Sequence, residues 1–316
     1  MTMDRIDILT QSLNSAFVNA YEMSQEPYPI ESAMTIVPSK GRVENYPWMY
    51  PPPMMHKWKG YREFAKAGEA NYRVPNVTYD NGFEIELEDW DDAQVDGWKR
   101  MSAAMADGAK QWKIIQSMVN LANGQTVSCY DGGNFFATTR VLGAGNNIIT
   151  GAAASTDGVT HAFVVLYTGN GMVKPLMWQN REEADFQTDA GSLESNKHRV
   201  IQNWTTLRGA AAFGFPFDAI LVKLSNTPTV QELQTALGTV KARFRTFTYP
   251  KNLPSDVAQY YHHATTFSDK NLMIVCSSGL EHLLQQCLTL SLIASTENIY
   301  RGMAQLVTSG YLDAVV

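Results

Sequence analysis

Apolar residues recur at threes and fours over residues 5 to 22, where Ile8, Leu9, Leu13, Phe17, Val18 and Tyr21 suit a short amphipathic helix. The same spacing returns between residues 97 and 122, with Trp98, Met101, Met105, Gly108, Trp112, Ile115, Val119 and Ala122 on one stripe. Asp96 is placed to cap that helix and Asn123-Gly124 to stop it. The pattern predicts a rod about 39 Å long at ~1.5 Å per residue. Two tryptophans on one stripe read as core contacts before they read as a cofactor site.

Period two appears at residues 83 to 88, where Phe83, Ile85 and Leu87 alternate with Glu84, Glu86 and Glu88. That is the pattern of a half-buried strand. Asn81-Gly82 just before it is a turn signal, so a hairpin is predicted, with YREFAKAGEANYRV from Tyr61 as the approximate mate. A two-stranded ribbon is marginal alone in water, and one that projects needs cover from neighbouring chains.

Upstream, prolines at 27, 29, 38, 47 and 51 to 53 alternate with Tyr46, Trp48, Tyr50 and Trp58. The stretch MYPPPMM cannot continue a helix or supply central-strand donors, so it reads as extended or polyproline-like. Its aromatics need a surface to pack on, supplied by a partner subunit or by the body of the domain.

Beyond residue 125 the pattern turns mostly to β and loop. GAGNNIITGAAASTDG reads as a flexible connection, AFVVLYTG and KPLMWQN as strands, and REEADFQTDAGSLESN as a polar excursion. HRVIQNWTT, GAAAFGFPF and AILVKL are again strand-like. Thr229 and Glu232 form a capping box ahead of Leu233, Leu237, Val240, Phe244 and Phe247. LMIVCS at 272 to 277 is a short buried strand, and Ser278 with Glu281 forms a second box ahead of Leu284, Cys287 and Leu288. Two capped helices around an apolar strand predict a compact α/β lobe over roughly residues 170 to 300. The final GMAQLVTSGYL reads as a strand returning to the body.

The 316 residues allow one large domain or two ordinary ones. A net charge of −6 argues against a surface that wraps nucleic acid for affinity. Charged residues make up 18%, below the roughly 25% of soluble domains, which hints at extensive association. Cys129, Cys276 and Cys287 have neither paired nor metal-type spacing, which fits a reducing compartment. No signal-peptide pattern or membrane-length apolar run occurs, so a soluble chain made in a cytoplasm is expected, with no membrane partner.

The densest chemistry is NGFEIELEDWDD at 81 to 92, which holds Glu84, Glu86, Glu88, Asp89, Asp91 and Asp92. Carboxylates in a line along a strand, about 6.6 Å per two residues, have the wrong shape for one cation. The aspartates sit where anions favour a helix entry. A solvated face is the first reading, an intersubunit salt-bridge ladder the second, and a metal-dependent hydrolase the third. Cys129 beside Asp131 has no nearby histidine, His262-His263 matches no zinc spacing, and GAGNN lacks the phosphate-loop lysine. No catalytic residue, metal site or cofactor is therefore expected.

The order of several stretches resembles a known family. These are SLNSAFVNAY, MTIVPS, HKWKGYRE at 56 to 63, FEIELEDWDDAQVDGW at 83 to 98, VSCYDGGNFF at 127 to 136, KPLMWQNREEADF at 174 to 186 and the closing NIYRGMAQLVTSGYL. Together they resemble the major head subunit of Mu-like phages, gpT, over nearly the whole chain. FFATTRV stands where an FFDTDHP-like run is expected, which points to a locally different loop.

The resemblance implies an α+β Hong Kong 97-type (HK97-like) capsid fold. Residues 1 to 50 would be the N-terminal arm and 51 to 88 an extended loop, a β-hairpin with its base. Residues 89 to 150 would be a peripheral domain with the spine helix at 97 to 122. Residues 151 to 300 would be mainly the axial domain, and 301 to 316 a strand returning to the peripheral domain. The implied function is the major capsid protein of a tailed double-stranded DNA phage, located in the virion head. Hexamers and pentamers of the chain itself would form the shell. A scaffold, a portal and a maturation protease would assist, a decoration protein is possible, and packaged DNA would lie close without sequence-specific binding. An encapsulin-like compartment of the same fold is the alternative. Tyr46, Trp48, Tyr50, Trp58, Tyr61 and Arg62 are the expected subunit-interface residues, together with Phe64, Tyr72, Glu84, Glu86 and Glu88.

Overall fold

The computed structural model describes residues 3–23, 28–49, 57–62, 72–86, 88–89, 95–139, 145–151, 154, 158–169, 173–189, 192, 195, 198–248, 267–293 and 296–313. Helix α1 (Met3–Glu22) is followed by strands β1 (Met34–Pro38), β2 (Val43–Asn45), β3 (Arg73–Pro75) and β4 (Val77–Glu86), then by the long helix α2 (Val95–Ala122). Strands β5 (Ile148–Thr150), β6 (His161–Tyr167), β7 (Leu176–Asp189), β8 (Val200–Phe213) and β9 (Ala219–Leu224) come next. Helix α3 (Val230–Thr246), strand β10 (Leu272–Cys276), helix α4 (Ser278–Thr289), the small hairpin β11 (Leu292–Ile293) and β12 (Thr296–Glu297), and strand β13 (Ala304–Thr308) complete the order.

Two sheets organise the chain. The first runs β1-β7-β8-β4 and the second β13-β10-β6-β9-β5. In the second, HAFVVLY, AILVKL and LMIVC are almost continuously buried, as strands covered on both faces must be. Phe163, Val165, Val222 and Ile274 face α3 and α4, while Ala162, Val164, Leu166 and Met273 face a second core. That second core also holds Met118 and Leu121 of α2, Phe135, Phe213 and, from the N-terminal region, Ile30, Met34 and Met49. The first sheet carries helices on one face only: Leu9, Leu13 and Phe17 of α1 pack with Ala106 of α2, Ile85, Phe186 and Ile201.

Both amphipathic helices of the N-terminal third form where their periodicity places them, but α2 buries a different stripe. Ser102, Ala106, Ser117, Met118 and Leu121 are its buried positions, whereas Met101 and Gly108 are exposed and Trp98, Met105, Trp112, Ile115 and Val119 are half-buried. The cause is α1. Small residues let its backbone come close enough for Ser102 Oγ to donate to Leu13 O at 2.8 Å. Asp96 lies inside the first turn of α2, not ahead of it, and the chain leaves the helix at Asn123-Gly124 as expected.

The chain does not turn at Asn81-Gly82. Strand β4 runs straight through it and pairs antiparallel with β8, from Val77 opposite Gly209 to Glu86 opposite Val200. Gly82 is there for proximity: a Cβ would stand 2.8 Å from Asn203 O. Most of the expected mate, 63 to 71, lies outside the described residues, and its last residues form β3, which pairs with β2. Likewise REEADFQTD is no excursion. It continues β7, with register shifts at Asn180/Glu182 and Glu182/Asp185, because its outer sheet face meets solvent and accepts polar residues.

The α/β lobe is discontinuous in sequence, since β7 and β8 leave it to build the first sheet. Ile148–Thr150, within the expected flexible connection, is instead the edge strand β5. At α3, Thr229 Oγ1 accepts from Glu232 N at 3.2 Å, but the Glu232 carboxylate turns to Ser225. At α4 the cap position is Ser277, without a side-chain cap bond, and Asp313 takes the free Ser278 N–H at 3.0 Å. The final strand β13 pairs parallel with β10 in the second sheet, and Val307 within it and Leu312 behind it reach the core that holds α2.

Candidate subunit interface

Strands β2 and β3 pair antiparallel, and Tyr46 N–H donates to Tyr72 O at 3.0 Å, so the two ends of segment 46–72 are held side by side. A buried polar network fixes this base. Tyr46 hydroxyl donates to Gln179 Oε1 at 2.6 Å. Gln179 Nε2 donates to Val74 O at 3.2 Å and to Asn76 Oδ1 at 2.6 Å. Asn76 Nδ2 donates to Ser39 Oγ and Gly41 O. Glu44 Oε1 collects the N–H groups of Lys40 and Gly41 and the Ser39 hydroxyl. Those donors hold the Glu44 carboxyl below its ordinary value, Gly41 contributing most. Burial, with a smaller contribution from the Glu44 charge, pushes the Tyr46 phenol up to about 12.

The expected interface residues divide sharply. Tyr46 is 4% exposed, and Tyr72 is buried with its hydroxyl accepting from Phe213 N at 3.0 Å, so both belong to the subunit's own core. Burial also raises the Tyr72 phenol strongly. The body of the chain itself covers these two aromatics, because β1 docks parallel to β7 and brings Ile30, Ala33 and Met34 into the same core. Trp58 is 64% and Tyr61 61% exposed, and Arg62 is exposed beside them, where Gly60 turns the chain with φ +92°. Trp48 lies in the short turn Pro47–Met49, its side chain outside the described residues, as are Tyr50 and Phe64 altogether.

Glu84, Glu86 and Glu88 are all exposed, while Phe83 and Ile85 turn towards α1 and α2. Gln202 Nε2 donates to Glu84 at 2.7 Å. Arg199 stands 3.8 Å from Glu88, an exposed pair of the sort that contributes little. Asp91 and Asp92 lie outside the described residues. Among the described residues no three His, Cys, Asp or Glu side chains converge on a point. Cys129 Sγ donates to Asp131 Oδ1 at 2.9 Å inside the core, and burial raises the Cys276 and Cys287 thiols to about 11. None of the three presents a reactive thiolate geometry.

Sequence reasoning missed the clamp of Ser39, Glu44, Asn76 and Gln179, whose members are scattered over the chain and meet only when β1 joins β7. The one local signal was Ser-Lys-Gly followed by Glu44, a turn with a carboxylate in reach. It also missed a cavity of about 250 Å³ under the free edge of the first sheet, between β4 and Gly108–Trp112 of α2.

A family model for the Mu-like prophage major head subunit gpT matches residues 6–312. The major capsid protein of Escherichia phage Mu is 23% identical over 303 residues, covering 92% of this chain and 93% of the relative. Among solved structures, the procapsid of bacteriophage JBD30 gives a TM-score of 0.71 at 18% identity, covering 98% of this chain and 100% of the other. The JBD30 capsid gives 0.70 at 15% identity, covering 99% of each. The α+β architecture is thus the Hong Kong 97-type capsid fold, and no helix among the described residues is long and apolar enough to cross a membrane. With a family match over almost its entire length, the chain belongs to the Mu-like major head subunit gpT family and is the major capsid protein of a tailed phage, a component of the virion head.

Proposed function

We propose that this subunit builds its shell as hexamers and pentamers of the one chain, and that segment 46–72 is the extended loop through which copies engage. The supporting observation is the pinned base: β2 and β3 hold both ends of the segment, while Trp58, Tyr61 and Arg62 stand in solvent. Permanent interfaces bury roughly 2,000 Å² or more, and a projecting segment lets a chain of this size reach that. On this division residues 1 to 50 are the arm. Strands β4, β7 and β8 with α2 are the peripheral domain, to whose sheet the arm adds β1 at one edge, and the second sheet with α3 and α4 is the axial domain. The interface set becomes Trp58, Tyr61 and Arg62 on one side and the Glu84, Glu86 and Glu88 row on the other.

Scaffold, portal and maturation protease act during assembly in this reading, and packaged DNA lies near the inner surface without sequence readout. A decoration protein is consistent with the JBD30 capsid structure decorated with minor capsid protein trimers, which matches with a TM-score of 0.69 at 15% identity. The role is structural, without catalysis. The metal-dependent hydrolase reading has little support, since Glu84 and Glu88 engage Gln202 and Arg199 along a line. Negative-stain imaging of the full chain co-expressed with its assembly proteins tests the proposal: closed icosahedral shells are expected, and a monodisperse monomer would defeat it. Mass spectrometry of the shells separates DNA-filled heads from an encapsulin-like compartment loaded with enzyme.

A further inference from the structure

Cross-strand register puts a tryptophan in the middle of the wet face of the first sheet. Trp204 of β8 stands opposite Gly82 of β4 and Gln187 of β7. Every second residue of a strand shares a face, so Asp80 and Glu84 flank Gly82, and Asp185 and Asp189 flank Gln187. Diagonal neighbours of this kind lie about 7–8 Å apart, within reach of an aromatic ring and of long side chains. Trp204 is half-buried, and Asp80, Glu84 and Asp185 are exposed around it. Gly82 leaves the β4 side of the indole without a facing side chain.

These carboxylates are placed but not neutralised. Gln202 Nε2 donates to Glu84 at 2.7 Å, and Gln187 Nε2 donates to Asp185 at 2.8 Å. Neither Asp80 nor Asp185 forms an ion pair among the described residues. The cation on this face, Arg208, stands further along β8 and lies 3.7 Å from Glu182. An indole ringed by carboxylates is a receptor for a guanidinium or an ammonium. The ring quadrupole attracts the cation, and the carboxylates accept charge-assisted hydrogen bonds from it.

The charge pattern also selects the occupant. A second copy of the same face would set carboxylates against carboxylates. Packaged DNA would set phosphates against them. The helix side of the sheet suits that polyanion better, since α2 carries Lys99, Arg100, Lys110 and Lys113 against Asp96 and Asp107. The wet face therefore turns away from the genome, towards a protein outside it.

We propose that this face is the docking site of a separately encoded, shell-binding protein with a basic segment. One of its arginines or lysines lies over Trp204, between Asp80 and Glu84 on one side and Asp185 and Asp189 on the other. This rests on the reading of a decorated shell and deepens it by naming the surface and the chemistry of the contact. Glu86 and Glu88, further along the chain, stay available for contacts between copies.

Fluorescein-labelled tetra-arginine amide, titrated against purified shells and against the free subunit, reads the site by anisotropy. Trp204→Ala keeps every carboxylate, so a diffuse electrostatic attraction would survive it; the expected loss of affinity is about fivefold. Trp204→Tyr should fall between, and it carries the comparison if melting shows that Trp204→Ala does not fold. Asp80→Asn with Asp185→Asn should also weaken binding, whereas Glu297→Gln, exposed on the second lobe, should leave it unchanged. In heads purified with their accessory proteins, zero-length carbodiimide coupling should join Asp80, Glu84 or Asp185 to a lysine of another protein, identified by peptide mass spectrometry. Wild-type affinity without the indole, coupling to lysines of this chain only, or no coupling at these positions overturns the inference. Absence of shells from the unchanged chain counts against self-assembly instead, and the titration of the free subunit then decides this proposal.

Discussion

The two sheets of this subunit are built from the same strand chemistry and finished differently. The second sheet is enclosed. Its central strands read as unbroken apolar runs, α3 and α4 cover one face, and the core shared with α2 covers the other. The first sheet has helices on one face; its other face is covered by Tyr46, Tyr72 and β3 only around Met177, Gln179, Ala210 and Ala212 and is largely wet beyond them, and among the described residues the ten-residue β4 lies at its edge. Open edges invite pairing with other chains unless they are managed. The enclosed sheet is complete within one chain, whereas the open one keeps exposed surface on which the proposed assembly contacts can form.

The largest effect that could break this contrast is in the enclosed sheet. Phe163→Ala should cost about 3–5 kcal/mol, read as a lower midpoint in urea unfolding of the free subunit. Phe83→Ala, half-buried on the open sheet, should cost the free subunit clearly less; equal losses would erase the distinction.

Next comes the clamp. Gln179→Leu strands the Tyr46 hydroxyl, Val74 O and Asn76 Oδ1 and should cost about 1–3 kcal/mol, with hydrogen exchange at Tyr46 N–H accelerating before the second sheet responds.

A smaller, pH-dependent effect belongs to Glu44. Its folded value is depressed, so its contribution is present above the ordinary carboxylate value of 4.5 and fades as pH falls through the lowered one. Protection of the Lys40 and Gly41 amides, measured relative to their intrinsic exchange rates at each pH, should fall on acidification, and Glu44→Gln should remove that acid step. Smallest of all, Glu86→Gln should change the free subunit's stability by no more than about 0.5 kcal/mol.

Legibility in the sequence followed the same divide. The enclosed sheet and its helices were readable because burial on every side leaves runs such as LMIVC and the α3 spacing Leu233, Leu237, Val240, Phe244. The open sheet misled. REEADF looks like loop because one face of β7 is wet, and Asn81-Gly82 looks like a turn although Gly82 serves close approach to Asn203. The stripe on α2 was rotated by α1, a helix whose docking no local pattern announces. Glu84 and Glu86 do lie on an exposed strand face, whereas Glu88 falls beyond the end of β4 in a helical turn. The clamp and the cavity stayed hidden because their residues come from strands far apart in the chain.

Pairing Glu86 with Val200 and Met34 with Leu176 also sets a folding order. Strands β7 and β8 can form their hairpin locally, whereas β1 and β4 are synthesised long before their mates exist, and such non-local pairing is slow. During that wait β4 is an unpaired strand in a cell crowded with identical nascent chains. Asp80, Glu84 and Glu86 give it like charges that repel another β4, so the acidic row acts as a gatekeeper against premature aggregation before it meets any neighbour in a shell.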